Sequence, residues 1–216
     1  MGRLFFYSDQ VTESPGNRRL DNIMFAGLSP DKIKMGYVPS TEDKKKKYFN
    51  TKVQYYGHYG LQNIMFIDLY SEFDPLKVKE LLSCDIIHLS AGNPIQLRSA
   101  IKNRKMENAL WDYFNQGGTI IGVSGGAVQL GKSAKLFQLF TGNHNNEDLD
   151  TLNFVDFDFL PHYNRWNEDF KQDVFKFSQT TGTTIYAGND GEGLIVEDGT
   201  IKRIGNVVKV RDGNIC

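Results

Sequence analysis

Cysteine, net charge and long apolar runs are all scarce in this chain of 216 residues, and each scarcity removes a class of protein. The 2 cysteines, Cys84 and Cys216, have no C-x-x-C spacing and no histidine pair beside them, so neither a disulfide framework nor a zinc site is implied. Cys84 precedes an apolar run and reads as a small buried hydrophobe. A formal net charge of -1 offers no long-range attraction for nucleic acid or for an anionic membrane. The one basic run, Lys44-Lys45-Lys46-Lys47, lies among Glu42, Asp43 and aromatic residues, and reads as the solvated face of a helix. No apolar stretch approaches the ~20 residues of a membrane span. The apolar run after Arg3 is too short for a secretory leader, so a cytoplasmic protein is expected.

What is present is the composition of an ordinary soluble globule, 40% hydrophobic and 24% charged, long enough for one α/β domain over residues 1–216. Short apolar, β-branched or aromatic runs predict strands at residues 4–7, 34–38, 64–67, 85–89 and 119–121. Between them, apolar residues at helical spacing predict helices over residues 20–28, from Thr41 as cap toward Gly57, from Asp74 as cap through Leu82, and over 104–115. Strands alternating with helices imply a doubly wound, mostly parallel sheet with helices on both faces. Ligands in such sheets bind at the carboxyl ends of the strands, where Gly92-Asn93 and Ser124 fall. Farther on come a polar loop at 141–150, an alternating acidic and apolar segment to Leu160, a helix over 168–177 and C-terminal β-hairpins. Their turns are assigned to Asn189-Asp190-Gly191, Asp198-Gly199 and Asp212-Gly213.

One junction carries chemistry. Thr119-Ile120-Ile121 reads as a buried strand, Ala127 to Phe140 has helical spacing, and Gly122-Val123-Ser124-Gly125-Gly126 joins them in the nucleophile-elbow pattern G-x-S-x-G. Such a turn holds a serine hydroxyl clear of the backbone and leaves the N–H of Gly125 free for an oxyanion. The same strand-glycine-helix texture also serves as a plain turn or a phosphate cradle. A serine hydroxyl needs a base. Of the four histidines, His58 is away from any strand's carboxyl end, His88 sits within a strand and His144 in the polar loop. His162 follows Pro161 at the end of an extended segment and is the best candidate. The carboxylate behind it is open between Asp190 and Glu192, whereas Asp156 and Asp158 alternate toward solvent.

Gly122-x-Ser124-x-Gly126-Ala127, Ala91-Gly92-Asn93-Pro94 and Pro161-His162-Tyr163, with Val38-Pro39-Ser40-Thr41 and Gly188-Asn189-Asp190-Gly191, resemble the peptidase E / aspartyl dipeptidase family, which includes cyanophycinase. The resemblance spans roughly the whole chain, in order. It implies a flavodoxin-like sheet related to class I glutamine amidotransferases and a Ser-His-Asp/Glu serine peptidase acting on small peptides, aspartyl dipeptides among them. By position, Ser124 is then the nucleophile, His162 the base and Asp190 the acid, with Glu192 as fallback. Gly92 joins Gly125 in the oxyanion hole, and Asn93 and Arg165 become the substrate contacts. No metal or cofactor is implied, the partner is a small peptide rather than nucleic acid or membrane, and a monomer or homodimer is expected. Two departures stand out: Ala91 replaces the family's usual first glycine, and only Arg165 supplies a cation close after His162. A binding relative of the amidotransferases, its serine unused, is one alternative reading. An α/β-hydrolase esterase is another, but that fold places its histidine after the acid.

Overall fold

The computed structural model describes residues 1–142 and 149–216. The chain runs β1 (Arg3–Tyr7), α1 (Pro15–Met24), β2 (Lys34–Val38), α2 (Lys47–Gly57), β3 (Asn63–Phe66), α3 (Leu76–Leu81), β4 (Ile86–Leu89), α4 (Pro94–Asn103), α5 (Glu107–Asn115) and β5 (Thr119–Val123). It continues with α6 (Gly125–Leu130), α7 (Lys135–Thr141), β6 (Asp158–Leu160), a 3-10 turn at Tyr163–Arg165 and α8 (Glu168–Thr181). The last strands are β7 (Ile185–Ala187), β8 (Gly193–Glu197), β9 (Thr200–Ile204), β10 (Val208–Arg211) and β11 (Asn214–Ile215).

Seven strands form the main sheet in the order β3-β2-β4-β5-β1-β8-β9. The first five in that order are parallel, and β8 and β9 extend the β1 edge antiparallel. The order of β2 to β5 followed by β1 is the flavodoxin order 2-1-3-4-5, with the first strand of the chain taking the last place. Side-chain alternation explains the uninterrupted apolar runs. Leu4, Phe6, Ile87 and Ile120 pack on one face against α4, α5 and α6, while Phe5, Tyr7, Ile86 and Ile121 pack on the other against α1 and α2. A second sheet of four strands, β11-β10-β7-β6, has its own small core around Leu160, Val174, Ile185 and Val210. It leans on the first through Phe159, whose ring centroid lies 5.5 Å from that of Phe6.

Several expectations are corrected. Residues 94–103 form α4, a helix not anticipated, with Pro94 at its first turn and Asn93 capping it through bonds accepted from the N–H groups of Ile95 and Gln96. The lysine run lies mostly in the turn before α2, and Asp43 rather than Thr41 accepts from the helix's first N–H groups, those of Lys47 and Phe49. The helix expected from Ala127 to Phe140 is broken into α6 and α7. Asp158, expected to face solvent, is the reason: it is buried and accepts from both the N–H and the hydroxyl of Ser133, turning the chain between the two helices. Strand β7 (Ile185–Ala187) belongs to the small sheet and β8 to the large one, so Asn189-Asp190-Gly191 is a crossover between sheets and not a hairpin. Asp198-Gly199 and Asp212-Gly213 are hairpin turns, both residues of each having positive φ.

Candidate active site

Ser124 lies between the end of β5 and the start of α6, at the carboxyl edge of the main sheet. Its backbone has a positive φ, 50°, with ψ -111°, a sparsely populated conformation that costs a non-glycine residue on the order of 1–3 kcal/mol. Two hydrogen bonds hold it there, from its N–H to the Tyr7 carbonyl (2.8 Å) and from Val128 N–H to its own carbonyl (3.0 Å). The neighbours must be glycine because backbones meet at this point. A Cβ on Gly125 would run into the carbonyl of Gly92, and one on Gly126 into the carbonyls of Leu89 and Ser90. The N–H groups of Gly92 and Gly125 have no partner among the described residues, and both glycines line the cavity in front of Ser124. They are the pair available to an oxyanion.

Parallel pairing brings the other two residues in. Strands β6 and β7 run side by side with Leu160 opposite Ala187, so the loops leaving them emerge at the same end, one carrying His162 and the other Asp190. Ladder-like bonds continue past the strands, from Gly188 N–H to the Leu160 carbonyl (3.0 Å) and from Tyr163 N–H to the Gly188 carbonyl (2.9 Å). His162 Nε2 lies 2.8 Å from Ser124 Oγ, and His162 Nδ1 lies 2.7 Å from Asp190 Oδ1. A carboxylate only accepts, so Nδ1 carries the proton and Nε2 is left to accept from the serine hydroxyl. His162 also has a left-handed backbone, φ 61°, and its N–H donates to Ser8 Oγ at 2.7 Å. Partial burial pushes the Asp190 carboxyl up, but bonds from His162, Arg165 and Asn164 outweigh it and hold the group below the usual carboxylate range.

Glu192, the other acid considered, is turned away. Its two oxygens accept from the N–H groups of Asn189 (3.1 Å) and Asn206 (2.9 Å), bracing the turn that presents Asp190. Arg165, expected as a substrate contact, is instead paired with Asp190 Oδ2 (2.6 Å) and Asp9 Oδ2 (2.8 Å). Asn93 has committed its side-chain oxygen to capping α4, which leaves only its amide NH2 for a ligand. Three residues that sequence reasoning did not single out complete the frame. Ser8 is buried and bridges His162 N–H to the Gly188 carbonyl. Asn164 bonds Asp190 twice, through Asp190 N–H (2.9 Å) and Oδ2 (3.1 Å), and Asp9 anchors Arg165. Ser8-Asp9 directly follows β1, the position where a strand-end signal could have found them.

The remaining histidines are elsewhere. His88 is buried with Nδ1 2.9 Å from Tyr56 Oη, and burial, helped by Lys52, pushes its pKa well below the ordinary value, as befits a neutral core residue. His58 ends α2, and His144 lies outside the described residues. In front of Ser124 a cavity of about 200 Å³ is lined by Gly92, Gly125 and His162 and walled by Val128, Phe137, Phe140 and Trp166.

A serine on a nucleophile elbow, bonded to an imidazole that is bonded to a carboxylate, is the arrangement of serine hydrolases. Peptidase family S51 matches residues 4–204, and the chain belongs to that family, which makes it a serine-type peptidase. The fold has solved counterparts. A Listeria monocytogenes EGD-e protein with a provisional peptidase E designation is 23% identical, with a TM-score of 0.70 and 98% of both chains covered. A peptidase from an acI-B1 Actinobacterium is 15% identical, with a TM-score of 0.72, covering 100% of this chain and 93% of the other. No curated protein matches.

Proposed function

We propose that this peptidase cleaves small peptides through a Ser124–His162–Asp190 triad and an acyl-enzyme. The observation that carries the reading is the unbroken series Ser124 Oγ, His162 Nε2, His162 Nδ1, Asp190 Oδ1, with separations of 2.8 and 2.7 Å. Ser124 Oγ attacks the scissile carbonyl as its proton passes to His162 Nε2. The N–H groups of Gly92 and Gly125 receive the oxyanion. His162 then returns the proton to the leaving amine, and water, deprotonated by His162, releases the acid and restores Ser124. Asp190 keeps Nδ1 protonated and stabilises the imidazolium. The cavity's size favours substrates of a few residues, dipeptides included. A cytoplasmic location goes with this reading: both cysteines are free, and among the described residues no helix is long and apolar enough to cross a membrane. A fluorophosphonate probe is the test. Labelling of the native chain that disappears in Ser124→Ala is expected, and labelling that survives the substitution would remove Ser124 from the role.

A further inference from the structure

The cavity beside Ser124 has a definite chemical character. Its walls away from the reacting atoms are Val128 on α6, Leu136, Phe137 and Phe140 on α7, Phe159 and Leu160 on β6, and Trp166. Trp166 is fixed by a bond from Nε1 to the Pro161 carbonyl (2.8 Å), and its ring lies 4.4 Å from that of Phe140, which is 49% exposed. Among the described residues no lysine or arginine lines this space, and residues 143–148 contain neither. The guanidinium of Arg165, next to Trp166 in the chain, is paired with Asp190 Oδ2, the oxygen not bonded to His162, and with Asp9.

We propose that this cavity is the specificity pocket and that it selects peptides carrying a large apolar or aromatic side chain next to the scissile bond, rejecting acidic ones. The proposal rests on the triad reading above. The physical ground is the asymmetry of transfer: an apolar side chain gains by leaving water for such walls, whereas a carboxylate loses its hydration and meets no lysine or arginine among the described lining residues in return. Discrimination within apolar pockets spans roughly 10–200-fold.

The test uses matched dipeptides and N-blocked tetrapeptides that carry Phe, Leu, Ala, Asp or Lys on either side of the scissile bond. A kcat/KM at least tenfold higher for Phe or Leu than for Asp is expected at one of the two positions. Phe140→Arg, a half-exposed wall residue outside the triad, should reduce that preference at least tenfold and raise turnover of the Asp peptide. Binding is read separately in Ser124→Ala, where quenching of Trp166 fluorescence by Phe peptides and not by Asp peptides is expected. An enzyme labelled at Ser124 that prefers Asp, or is indifferent at both positions, overturns the pocket assignment and leaves the triad standing. Quenching by Phe peptides in a protein that the fluorophosphonate fails to label removes the triad and leaves the pocket. Failure of both removes both.

Discussion

The two halves of the candidate site are built differently. Ser124 and its glycines belong to one contiguous junction of the main sheet, where local sequence sets strand, turn and helix. His162 and Asp190 come from two loops 28 residues apart, brought to one point by the parallel pairing of β6 with β7 in the small sheet. The first half is legible as a motif. The second exists only through register, since a slip of β6 against β7 would carry the imidazole away from the carboxylate. The Ser124 hydroxyl thus sits at the edge of the main sheet, and the imidazole and carboxylate of the proposed triad are carried by an element docked against that sheet through Phe6 and Phe159.

Substitutions that break either half should be equally severe if the two act as one unit. Ser124→Ala is expected to lose on the order of 10⁶ in kcat, and His162→Ala a comparable amount, with the double variant adding little. Rate measurements on all three check this, and losses that multiply would show the halves to be independent.

A smaller effect separates the two acids that lie two residues apart. Asp190→Asn should cost on the order of 10⁴ in kcat, because an amide stabilises the wrong tautomer of the imidazole, with KM little changed. Glu192→Gln should leave kcat within a few-fold while lowering stability by about 1 kcal/mol, because it keeps only one of two accepted backbone bonds. Steady-state kinetics beside denaturant unfolding distinguish them. A dead Glu192→Gln with an active Asp190→Asn would reverse the roles.

The last effect is on stability rather than rate, and contrasts two aspartates shifted in opposite directions, Asp158 at the turn between α6 and α7 and Asp190 beside His162. Burial raises the Asp158 carboxyl to about 6 despite the bonds from Ser133, whereas Asp190 is lowered. A carboxyl whose folded pKa exceeds its unfolded value of about 3.9 binds its proton more tightly in the fold. Its stabilisation is therefore full below about pH 4 and is lost as pH rises through 6, by up to about 3 kcal/mol. Asp190 acts with the opposite sign, and below the ordinary carboxylate range. Unfolding free energies between pH 4.5 and 7 should thus fall more steeply in the native chain than in Asp158→Asn. Parallel curves would show that Asp158 is not the source.

Periodicity and composition were enough for the five parallel strands, because a buried strand must be apolar on both faces. They missed α4, whose Asn93-Pro94 start reads equally well as a loop, and they ran α6 and α7 together. Apolar spacing continues through that break, and the buried carboxylate that causes it lies about 25 residues further along the chain. Asp158 itself was misplaced because alternation assigns a face without saying what covers it.

Sequence alone determined the elbow: Gly122, Gly125 and Gly126 around Ser124 are demanded by backbone approach, a local requirement that residue type records directly. It narrowed the candidate base to His162, and left the choice of candidate acid to a family resemblance. Only the tertiary structure decided that Asp190 faces the imidazole while Glu192 faces its own turn, and that Arg165 is already paired. It alone placed Val128, Phe140 and Trp166 around one cavity. These are contacts between segments distant in the chain, and their geometry is set by strand register and by the crossover between two sheets, neither of which leaves a periodic trace in the residues themselves.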